Sequence, residues 1–470
     1  MSYNSASRNP IDWITIGCYL SLLIIGWLML YAVVYDENEP YNFLDFGTIM
    51  GKQSLWIIFS LLAFLFAYSF NWKFWITFAY PVYVVSIILL LAVLIVGVEI
   101  KGARSWFSFG GISFQPSEIA KLGTSLALSS YLSFQKSGLR DGRVLGIAIA
   151  IIFAPVILIL LQPDAGSAVI FMSFFILLYR RGLAPELYFL GFLLLMIFIL
   201  SLIFSPYIVT VLLLLGAAII LTINENYKIR KTLLILAALL VATVYLLASK
   251  NFYSYAIYPP LIGCIILLSK QFLSRNFRFI AIWIPSILLA IGISFGTRFA
   301  FDNFLAPHQK DRINVWLRPQ ECDPRGSLYN IIQSKLAIGS GGIDGKGFLQ
   351  GDMTKLNYVP EQTTDFIFST VGEEQGFIGS IAIILLFLLL ISRMILMAER
   401  AKFDFIKNFG YCVAGILFFH FFINIGMSMG IMPVIGIPLP FLSKGGSSLM
   451  IFSMMIGMML KMDLERSSKR

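Results

Sequence analysis

The sequence predicts an all-α, polytopic integral membrane protein. Of its 470 residues, 58% are hydrophobic and only 13% are charged, more apolar surface than a soluble domain of this size can bury. Apolar runs of about 18–25 residues, the length of a helix that crosses a bilayer, recur along the whole chain. Because these runs are continuous rather than alternating, they exclude a transmembrane β-barrel.

The apolar runs predict about fourteen membrane helices, some of them near the short limit for a span. The first run has no small-residue cleavage site after it, so we interpret it as a retained helix and not as a signal peptide. The expected bounds are 13–34, 53–70, 74–98, 117–134, 144–162, 164–180, 185–204, 208–223, 230–248, 254–269, 278–297, 376–397, 409–432 and 445–463.

Lys and Arg concentrate in alternate loops, and this pattern predicts the orientation. With both termini in the cytoplasm, the basic loops face inward, as the positive-inside rule requires. The net charge of +10 is therefore a topology signal, and we expect membrane lipids, not nucleic acid, around the protein. The inward segments are 71–73, 135–143, 180–181, 224–231, 270–278, 399–407 and 461–470.

Two loops expected on the outer face carry basic residues against this rule. One is the loop 101–116, with Lys101 and Arg104, and the other is the long segment 298–375, with Arg312. Lys444, beside two glycines, is a third cation on that side. Since such residues oppose the insertion signal, we expect them to contact an anionic ligand, and phosphate is the natural guess.

Glu118 and Lys121 open one predicted helix three residues apart, so they lie on one face and can pair. Each charge would cost a few kcal/mol in lipid, so both face the protein interior or a wet cavity. A structural ion pair and a polar site reached from outside both remain open. Asp164 is predicted as a helix N-cap, and His420 as a packed neighbour of aromatic side chains.

The stretch 358–376 collects four carboxylates, those of Glu361, Asp365, Glu373 and Glu374, in a mostly apolar chain. A general base must be partly desolvated and within hydrogen-bond reach of the proton it removes, and Asp365 fits this better than Glu361. The alternative is that Asp365 caps a helix or pairs with Lys121. Glu373 and Glu374 are expected at a helix start, where acidic residues are favoured.

The segments on either side of this stretch are predicted from their glycines and prolines. The run 339–347 is a glycine-rich turn that follows a short amphipathic helix at 328–337, and its amides are candidates for anion contact. Phe366 and Phe368 are expected to seat the stretch at the membrane–water boundary. The prolines and glycines of 424–448 exclude a straight helix, so this backbone lines a cavity or is buried in protein.

Several long motifs in one fixed order make the chain resemble the SEDS family of cell-wall polymerases. They lie at both ends of the chain. The run from Gly430 to Pro440 resembles RodA, the elongation member, more than FtsW, the division member. The matching segments are 101–106, 114–121, 162–164, 333–342, 360–368, 373–374 and 438–447.

The resemblance implies a peptidoglycan glycosyltransferase that polymerises lipid II at the outer face of the cytoplasmic membrane. It places the catalytic aspartate at Asp365. A class B penicillin-binding transpeptidase is the implied protein partner. No cofactor is fixed by the motifs, and a divalent cation, Mg²⁺ or Mn²⁺, is the candidate. Expected substrate-binding residues are Arg104, Trp106, Glu118, Lys121, Arg312, Glu361 and Lys444.

The chain departs from the family pattern by about four additional spans between Arg181 and Phe295. An even insertion keeps the large loop outside. We therefore divide the chain into an N-terminal part of the core (1–181), a part with the inserted helices (182–295), an extracytoplasmic loop (296–375) and C-terminal core helices (376–470). Lys444 stands where the family usually has tyrosine, which removes the family's support for its role.

Two other functions compete with polymerisation. A flippase for lipid-linked precursors fits the many spans, the interior charges and a broken helix. A scaffold for a transpeptidase needs no catalytic carboxylate at all. The large outer loop that ends in a carboxylate favours the polymerase.

Overall fold

The computed structural model shows the predicted all-α architecture. In the described part of the chain, nine helices are long and apolar enough to cross a membrane. The described residues are 11–35, 47–100, 102–109, 112–135, 138–224, 229–248, 253–273, 277–305, 307–323 and 326–465. Lys101, the acidic loop 36–46 and the chain ends 1–10 and 466–470 lie outside them.

The chain divides into two compact units, and the first consists of Met1–Ala184 and Asp323–Arg470. Its helices before residue 185 are α1 (Trp13–Val34), α2 (Ile49–Ser69), α3 (Trp72–Val96), α4 (Pro116–Phe134), α5 (Gly142–Leu160), α6 (Ala165–Ile170) and α7 (Phe174–Arg180). Those after residue 322 are α14 (Ser327–Ser340), α15 (Asp352–Lys355), α16 (Ile367–Arg400), α17 (Asp404–Ser428) and α18 (Ser447–Leu464).

The second unit is Pro185–Cys322, and it contains the helices predicted as an insertion. A cluster around Leu214, Cys264 and Leu267 forms part of its buried core. Arg318 follows the unit's last α-helix, and its side chain donates to the carbonyls of Leu202 and Ile203 at 3.2 and 2.7 Å. The helices are α8 (Pro185–Ile203), α9 (Pro206–Asn224), α10 (Ile229–Ala248), α11 (Tyr258–Leu273), α12 (Phe277–Asn303) and α13 (Pro307–Leu317).

Each of the fourteen predicted runs contains a helix, although several helices end a few residues inside the predicted bounds, and the helices differ in length and polarity. The run 164–180 is divided between α6 and α7, and α9 to α11 supply only shorter apolar stretches. The helix α4 is not among the nine long apolar helices because it carries Glu118, Lys121 and several serines. Those polar residues are buried, since α4 packs against α3, α5 and α17 inside the first unit.

A small antiparallel sheet, which the sequence analysis did not predict, fills the loop before α4. Its strands are β1 (Val98–Ile100), β2 (Ala103–Phe109) and β3 (Ile112–Phe114), in the order β1-β2-β3. Arg104 stands opposite Glu99, and Trp106 stands opposite Val98. The aromatic residues Trp106, Phe107 and Phe109 suit a strand, and the sheet holds Arg104 and Trp106 on a fixed backbone.

The helix α16 is broken at Gly376, whose φ of 63° and ψ of −159° are not helical. The glycine loop, residues 341–347, packs into this break. The amides of Lys346 and Gly347 donate to the carbonyls of Glu373 and Glu374 at 3.0 and 2.9 Å. Beyond the break, Phe377 and Ile378 donate to the carbonyls of residues 342 and 343. The loop therefore pairs backbone groups on both sides of the broken helix.

Gly345 tests this arrangement. Its φ is +83°, and a Cβ there would lie 2.2 Å from the carbonyl oxygen of Glu374. We expect Gly345→Ala to destabilise the protein by about 1–3 kcal/mol, because it combines backbone strain with a clash against backbone. The measurement is the thermal unfolding midpoint of purified protein in detergent.

Gly339→Ala is the matched control. Gly339 lies inside α14, and a Cβ there would meet nothing within 4 Å. Alanine is favoured over glycine by about 0.5–1 kcal/mol inside a helix, so this midpoint should stay level or rise. Equal midpoints for the two variants would contradict the proposed packing.

Candidate active site

Asp365 lies in a series of turns, residues 360–366, which we call the Asp365 turn. The amides of Thr364, Asp365 and Phe366 all donate to the carbonyl of Glu361, at 3.1, 3.0 and 3.3 Å. Phe366 is buried in a cluster with Ala337 and Val359. Asp365 itself is half-buried. The turn therefore presents a partly desolvated carboxylate on an ordered backbone.

Phe366 and Phe368 seat the turn by packing inside the protein. They are only 1% and 2% exposed, so other protein groups, not lipid or water, surround their rings. Burial of two aromatic side chains next to Asp365 restricts the movement of the turn.

A second segment of chain is bound to this turn. It is the stretch between α17 and α18, residues 429–446, which is not helical, as its prolines and glycines predicted. We call it the irregular segment. Its Ser443 hydroxyl donates to the carbonyl of Thr364 at 2.5 Å, and the amide of Lys444 donates to the carbonyl of Thr363 at 2.8 Å. The carbonyls on the N-terminal side of Asp365 are thus fixed by the irregular segment.

Asn424, near the end of α17, completes the attachment. Its side-chain Nδ2 donates both to the carbonyl of Asp365, at 3.0 Å, and to the carbonyl of Ile437, at 2.7 Å. The Asp365 carboxylate faces Gly436, since a Cβ at that glycine would be 3.6 Å from Oδ2. One buried amide therefore joins the aspartate to the irregular segment.

Glu118 and Lys121 form the predicted ion pair, and both are buried, at 3% and 1% exposed. Lys121 Nζ lies 2.9 Å from Glu118 Oε1 and 2.8 Å from Oε2, with hydrogen-bond geometry only to Oε1. It also lies 2.8 Å from His420 Nε2, a contact that the sequence analysis missed. The hydrogen-bond and ion-pair partners of Lys121 are Glu118 and His420, not Asp365.

His420 connects this ion pair to the irregular segment. Because an ammonium group only donates, His420 Nε2 accepts from Lys121, and the ring proton lies on Nδ1. That Nδ1 is 3.1 Å from the carbonyl of Pro438. The ring also packs edge-on against Phe452, as expected for an aromatic neighbour. Lys121 is thus connected to the irregular segment at Pro438 through a neutral His420.

Three further motif residues, distant in sequence, meet at the start of α4. Asp164 caps α6, as predicted, by accepting from the amide of Ser167. Its other oxygen accepts from Gln115 Nε2 at 2.8 Å. The backbone amide of Gln115 in turn donates to the hydroxyl of Ser447 at 3.4 Å. This junction joins the 162–164, 114–121 and 438–447 motifs in one place.

Cationic side chains lie near the Asp365 turn. Lys444 is half-buried; burial lowers the pKa of its amine, Lys52 lowers it further, and Glu361 opposes the shift. Lys52 belongs to α2 and was not predicted as a site residue. Glu361 is exposed, has a left-handed φ of 56°, and accepts from the Thr364 hydroxyl at 3.2 Å. Lys444, Lys52 and Glu361 are thus electrostatically coupled.

The remaining predicted residues occupy different places. Arg104 is exposed on β2, and Trp106 is half-buried beside it. Arg312 lies in α13, in the second unit, so the first unit alone does not contain the full predicted set. The assigned substrate contacts of these residues stay predictions.

One expectation for the carboxylate stretch was wrong, and the glycine loop beside it has a structural role. Glu373 and Glu374 do not open a helix; they lie just before the break in α16 and are buried. In the glycine loop, the amides of Lys346 and Gly347 donate to the carbonyls of the broken helix, so these two amides are not available to an anion. Both segments are structural partners of each other.

The donor set for a metal is poor. The residues that the structure describes contain no group of three or more His, Cys, Asp or Glu side chains arranged to hold an ion. Within this part of the chain, a divalent cation would find no such cluster of protein ligands, and its requirement stays a prediction.

The profile of the cell cycle protein family that includes FtsW, RodA and SpoVE matches residues 12–215 and 207–468. The chain belongs to this family. It is 30% identical to the peptidoglycan glycosyltransferase MrdB of Escherichia coli K12 over 82% of this chain and 77% of that protein. It is 28% identical to the peptidoglycan glycosyltransferase RodA of Treponema pallidum over 96% of this chain and 97% of that protein.

Family members with the other name are similar as well. A probable peptidoglycan glycosyltransferase FtsW of Idiomarina loihiensis is 27% identical over 98% of this chain and 89% of its own. The fold resembles a solved chain of a peptidoglycan synthase complex, with a TM-score of 0.61, 24% identity, and coverage of 98% of this chain and 99% of that chain. The motifs that meet around Asp365 thus belong to a family member with the family fold.

Asn424 allows a test of the attachment between α17 and Asp365. In Asn424→Asp, oxygens replace the amide that now donates to the carbonyls of Asp365 and Ile437. Two buried carbonyls lose their donor, so we expect a loss of about 1–3 kcal/mol in the free energy of unfolding. The thermal midpoint in detergent measures it.

Ser428→Ala serves as the comparison variant. The Ser428 hydroxyl donates only to the carbonyl of Asn424, one turn earlier on the same helix, so its loss should change stability by about 0.5 kcal/mol or less. If Asn424→Asp is as stable as Ser428→Ala, the bridge does not hold the turn.

Proposed function

We propose that this chain is a peptidoglycan glycosyltransferase that polymerises lipid II into glycan strands for cell elongation and cell shape. Family membership supports the class of reaction, as do relatives named for this activity. The observation that carries the proposal is the presentation of Asp365. Its carboxylate is half-buried, and the carbonyls of residues 363–365 are all bound by groups of the irregular segment or α17.

In the proposed reaction, Asp365 acts as the general base. The acceptor sugar's 4-hydroxyl attacks the anomeric carbon of the donor, and Asp365 takes the hydroxyl proton as the new glycosidic bond forms. The bond from the anomeric carbon to the diphosphate breaks, undecaprenyl diphosphate leaves with the electron pair, and the anomeric configuration inverts. A positioned base of this kind contributes about 10²–10⁴ to the rate.

Cations near the surface suit the leaving diphosphate. Arg104 is exposed and can offer a bidentate guanidinium, and Lys444 with Lys52 supplies further positive charge. Arg312 keeps the same proposed role. Lys121 is engaged with Glu118 and His420 inside the protein, and direct contact with phosphate would require this pair to open. We therefore assign Lys121 mainly the support of the irregular segment.

The subtype, the orientation and the partner are also part of the proposal. The run from Gly430 to Pro440 supports a RodA-like protein, and the basic loops support cytoplasmic termini and an outward site. The solved neighbour is described as a peptidoglycan synthase complex that coordinates polymerization with crosslinking. A class B penicillin-binding transpeptidase is the corresponding partner here.

A flippase for lipid-linked precursors is the second candidate. The break in α16 and the irregular segment favour it, because transporters build their sites from discontinuous helices. These breaks, however, are filled by protein groups bound to one another. The polymerase accounts for the ordered carboxylate, which a flippase does not need.

The decisive variant is Asp365→Asn, assayed as purified protein with lipid II. The amide keeps the shape of the side chain but cannot accept the hydroxyl proton, so the polymerisation rate should fall by about 10²–10⁴. Asp352→Asn is the matched control, because Asp352 is exposed and belongs to α15, and it should keep near wild-type activity.

Three outcomes would contradict parts of this proposal. Near wild-type polymer formation by Asp365→Asn would exclude Asp365 as the general base. Translocation of lipid II in vesicles without polymer would favour the flippase. Cells that grow normally with Asp365→Asn as their only copy would favour a scaffold for the transpeptidase.

Arg104→Ala tests whether Arg104 contributes to substrate binding or to the chemical step. Removal of its guanidinium in Arg104→Ala should raise the KM for lipid II by about tenfold with a smaller change in kcat, since it takes away an ionic contact to phosphate. Arg140→Ala, an exposed arginine on the loop between α4 and α5, should leave both constants unchanged. A pure kcat effect at Arg104 would refute its assignment to substrate binding.

A further inference from the structure

Glu373 is a buried carboxylate with an unusually complete set of hydrogen bonds. It is 0% exposed. Its Oε1 accepts from Lys346 Nζ at 2.8 Å and from the amide of Met353 at 2.9 Å. Its Oε2 accepts from the amide and the hydroxyl of Thr354, at 2.9 and 2.8 Å. The reaction proposed above uses none of these groups.

Thr354 carries this attachment to the other side of the Asp365 turn. Its carbonyl accepts from Gln362 Nε2 at 2.9 Å, and the same amide donates to Asn357 Oδ1 at 2.8 Å. Gln362 is 3% exposed and Thr354 is 1% exposed. Gln362 precedes Asp365 by three residues, so the chain just before the aspartate is tied to Thr354.

Both ends of the segment 362–373 are therefore bound to one residue. Gln362 holds its start and Glu373 holds its end, and Asp365 lies between them. From Ile367 to Glu373 the segment is helical, and the break at Gly376 separates it from the rest of α16. We call this closed arrangement, Met353 and Thr354 with residues 362–373, the Thr354 frame.

A plain structural role explains Glu373 less well. A buried charge costs several kcal/mol to desolvate, and a well-packed apolar side chain often gives equal or greater stability. The charge of Glu373 is balanced by Lys346, and the hydrogen bond to Glu373 raises the pKa of the Lys346 amine, which keeps that lysine charged. What a carboxylate adds here is four directional bonds that define one position of α15.

We propose that Glu373 is a positioning residue for Asp365, acting through Thr354 and Gln362. The inference rests on the function proposed above, with Asp365 as the base. A base must reach its proton at about 2.6–3.2 Å, and small displacements from the productive geometry reduce the rate of the chemical step. Release of the Thr354 frame should therefore lower kcat and leave lipid II binding largely intact.

The first test is Glu373→Gln, with kcat and KM for lipid II measured on purified, folded protein. Glutamine keeps one acceptor oxygen but directs an NH₂ group at a neighbouring donor, so part of the frame is lost. We expect kcat to fall by about tenfold while KM changes by less than about threefold. The control, Asp352→Asn, removes the other carboxylate that binds Lys346, at 3.2 Å and 79% exposed, and should change neither constant.

Thr354 supplies a matched pair that tests the frame if Glu373→Gln folds poorly. Thr354→Val deletes the hydroxyl that donates to Glu373, whereas Thr354→Ser retains it. The valine variant should lose several-fold in kcat, and the serine variant should keep the wild-type value. Equal kcat values for valine and serine would overturn the proposal.

A double-mutant cycle tests whether the residues act together. Gln362→Leu alone should lower kcat as Glu373→Gln does, and the double variant should lose less than the product of the two effects, because both disturb the same frame. Multiplicative losses, or a change confined to KM, would refute the coupling. Asp365→Asn measured in parallel separates the proposals: if it stays active, the proposed base is wrong, and if it alone is inactive, only Glu373 is wrongly assigned.

Discussion

Backbone groups that lipid cannot hydrogen-bond must find partners inside the protein, and this constraint organises the first unit. Each unpaired N–H or C=O in hydrocarbon costs several kcal/mol. At the break of α16 at Gly376, the glycine loop supplies hydrogen-bond partners for the backbone. The irregular segment is hydrogen-bonded to Asn424 through the carbonyl of Ile437, and to the Asp365 turn through Ser443. The Asp365 turn is thus held in place as a partner for otherwise unpaired backbone.

The same logic applies to charge. Lys121 is the largest buried cation in this unit's described core, and it needs Glu118 and His420 because an isolated buried ammonium would lose its proton or unfold the site. The carboxylate of Glu118 balances its positive charge. The cations of this unit that we propose for an anionic ligand are the accessible ones, the exposed Arg104 and Lys52 and the half-buried Lys444. The buried cation therefore stabilises the structure, and the accessible cations are the ones proposed for binding.

What the sequence predicted depended on how local the signal was. The helices, the Asp164 cap and the Glu118–Lys121 pair follow from periodicity and spacing within one turn, and all are present. The contact of Lys121 with His420 joins residues 299 positions apart, and no local pattern encodes it. Glu373 was assigned to a helix start for the same reason, since the Gly376 break and its partner loop are visible only in three dimensions. Motif order located Asp365, but the hydrogen bonds that hold it came from the fold.

The two sets of contacts around Asp365 act on different atoms, and together they favour this residue over Glu361 as the base. Asn424 binds the carbonyl of Asp365 itself, while the Thr354 frame holds the chain before and after it. With the backbone fixed, an aspartate retains only two side-chain torsions, so ordering it for reaction costs little entropy. Glu361 has one more torsion, lies exposed, and occupies a left-handed backbone conformation. A carboxylate that must meet a sugar hydroxyl at hydrogen-bond distance is better provided by the shorter, half-buried side chain.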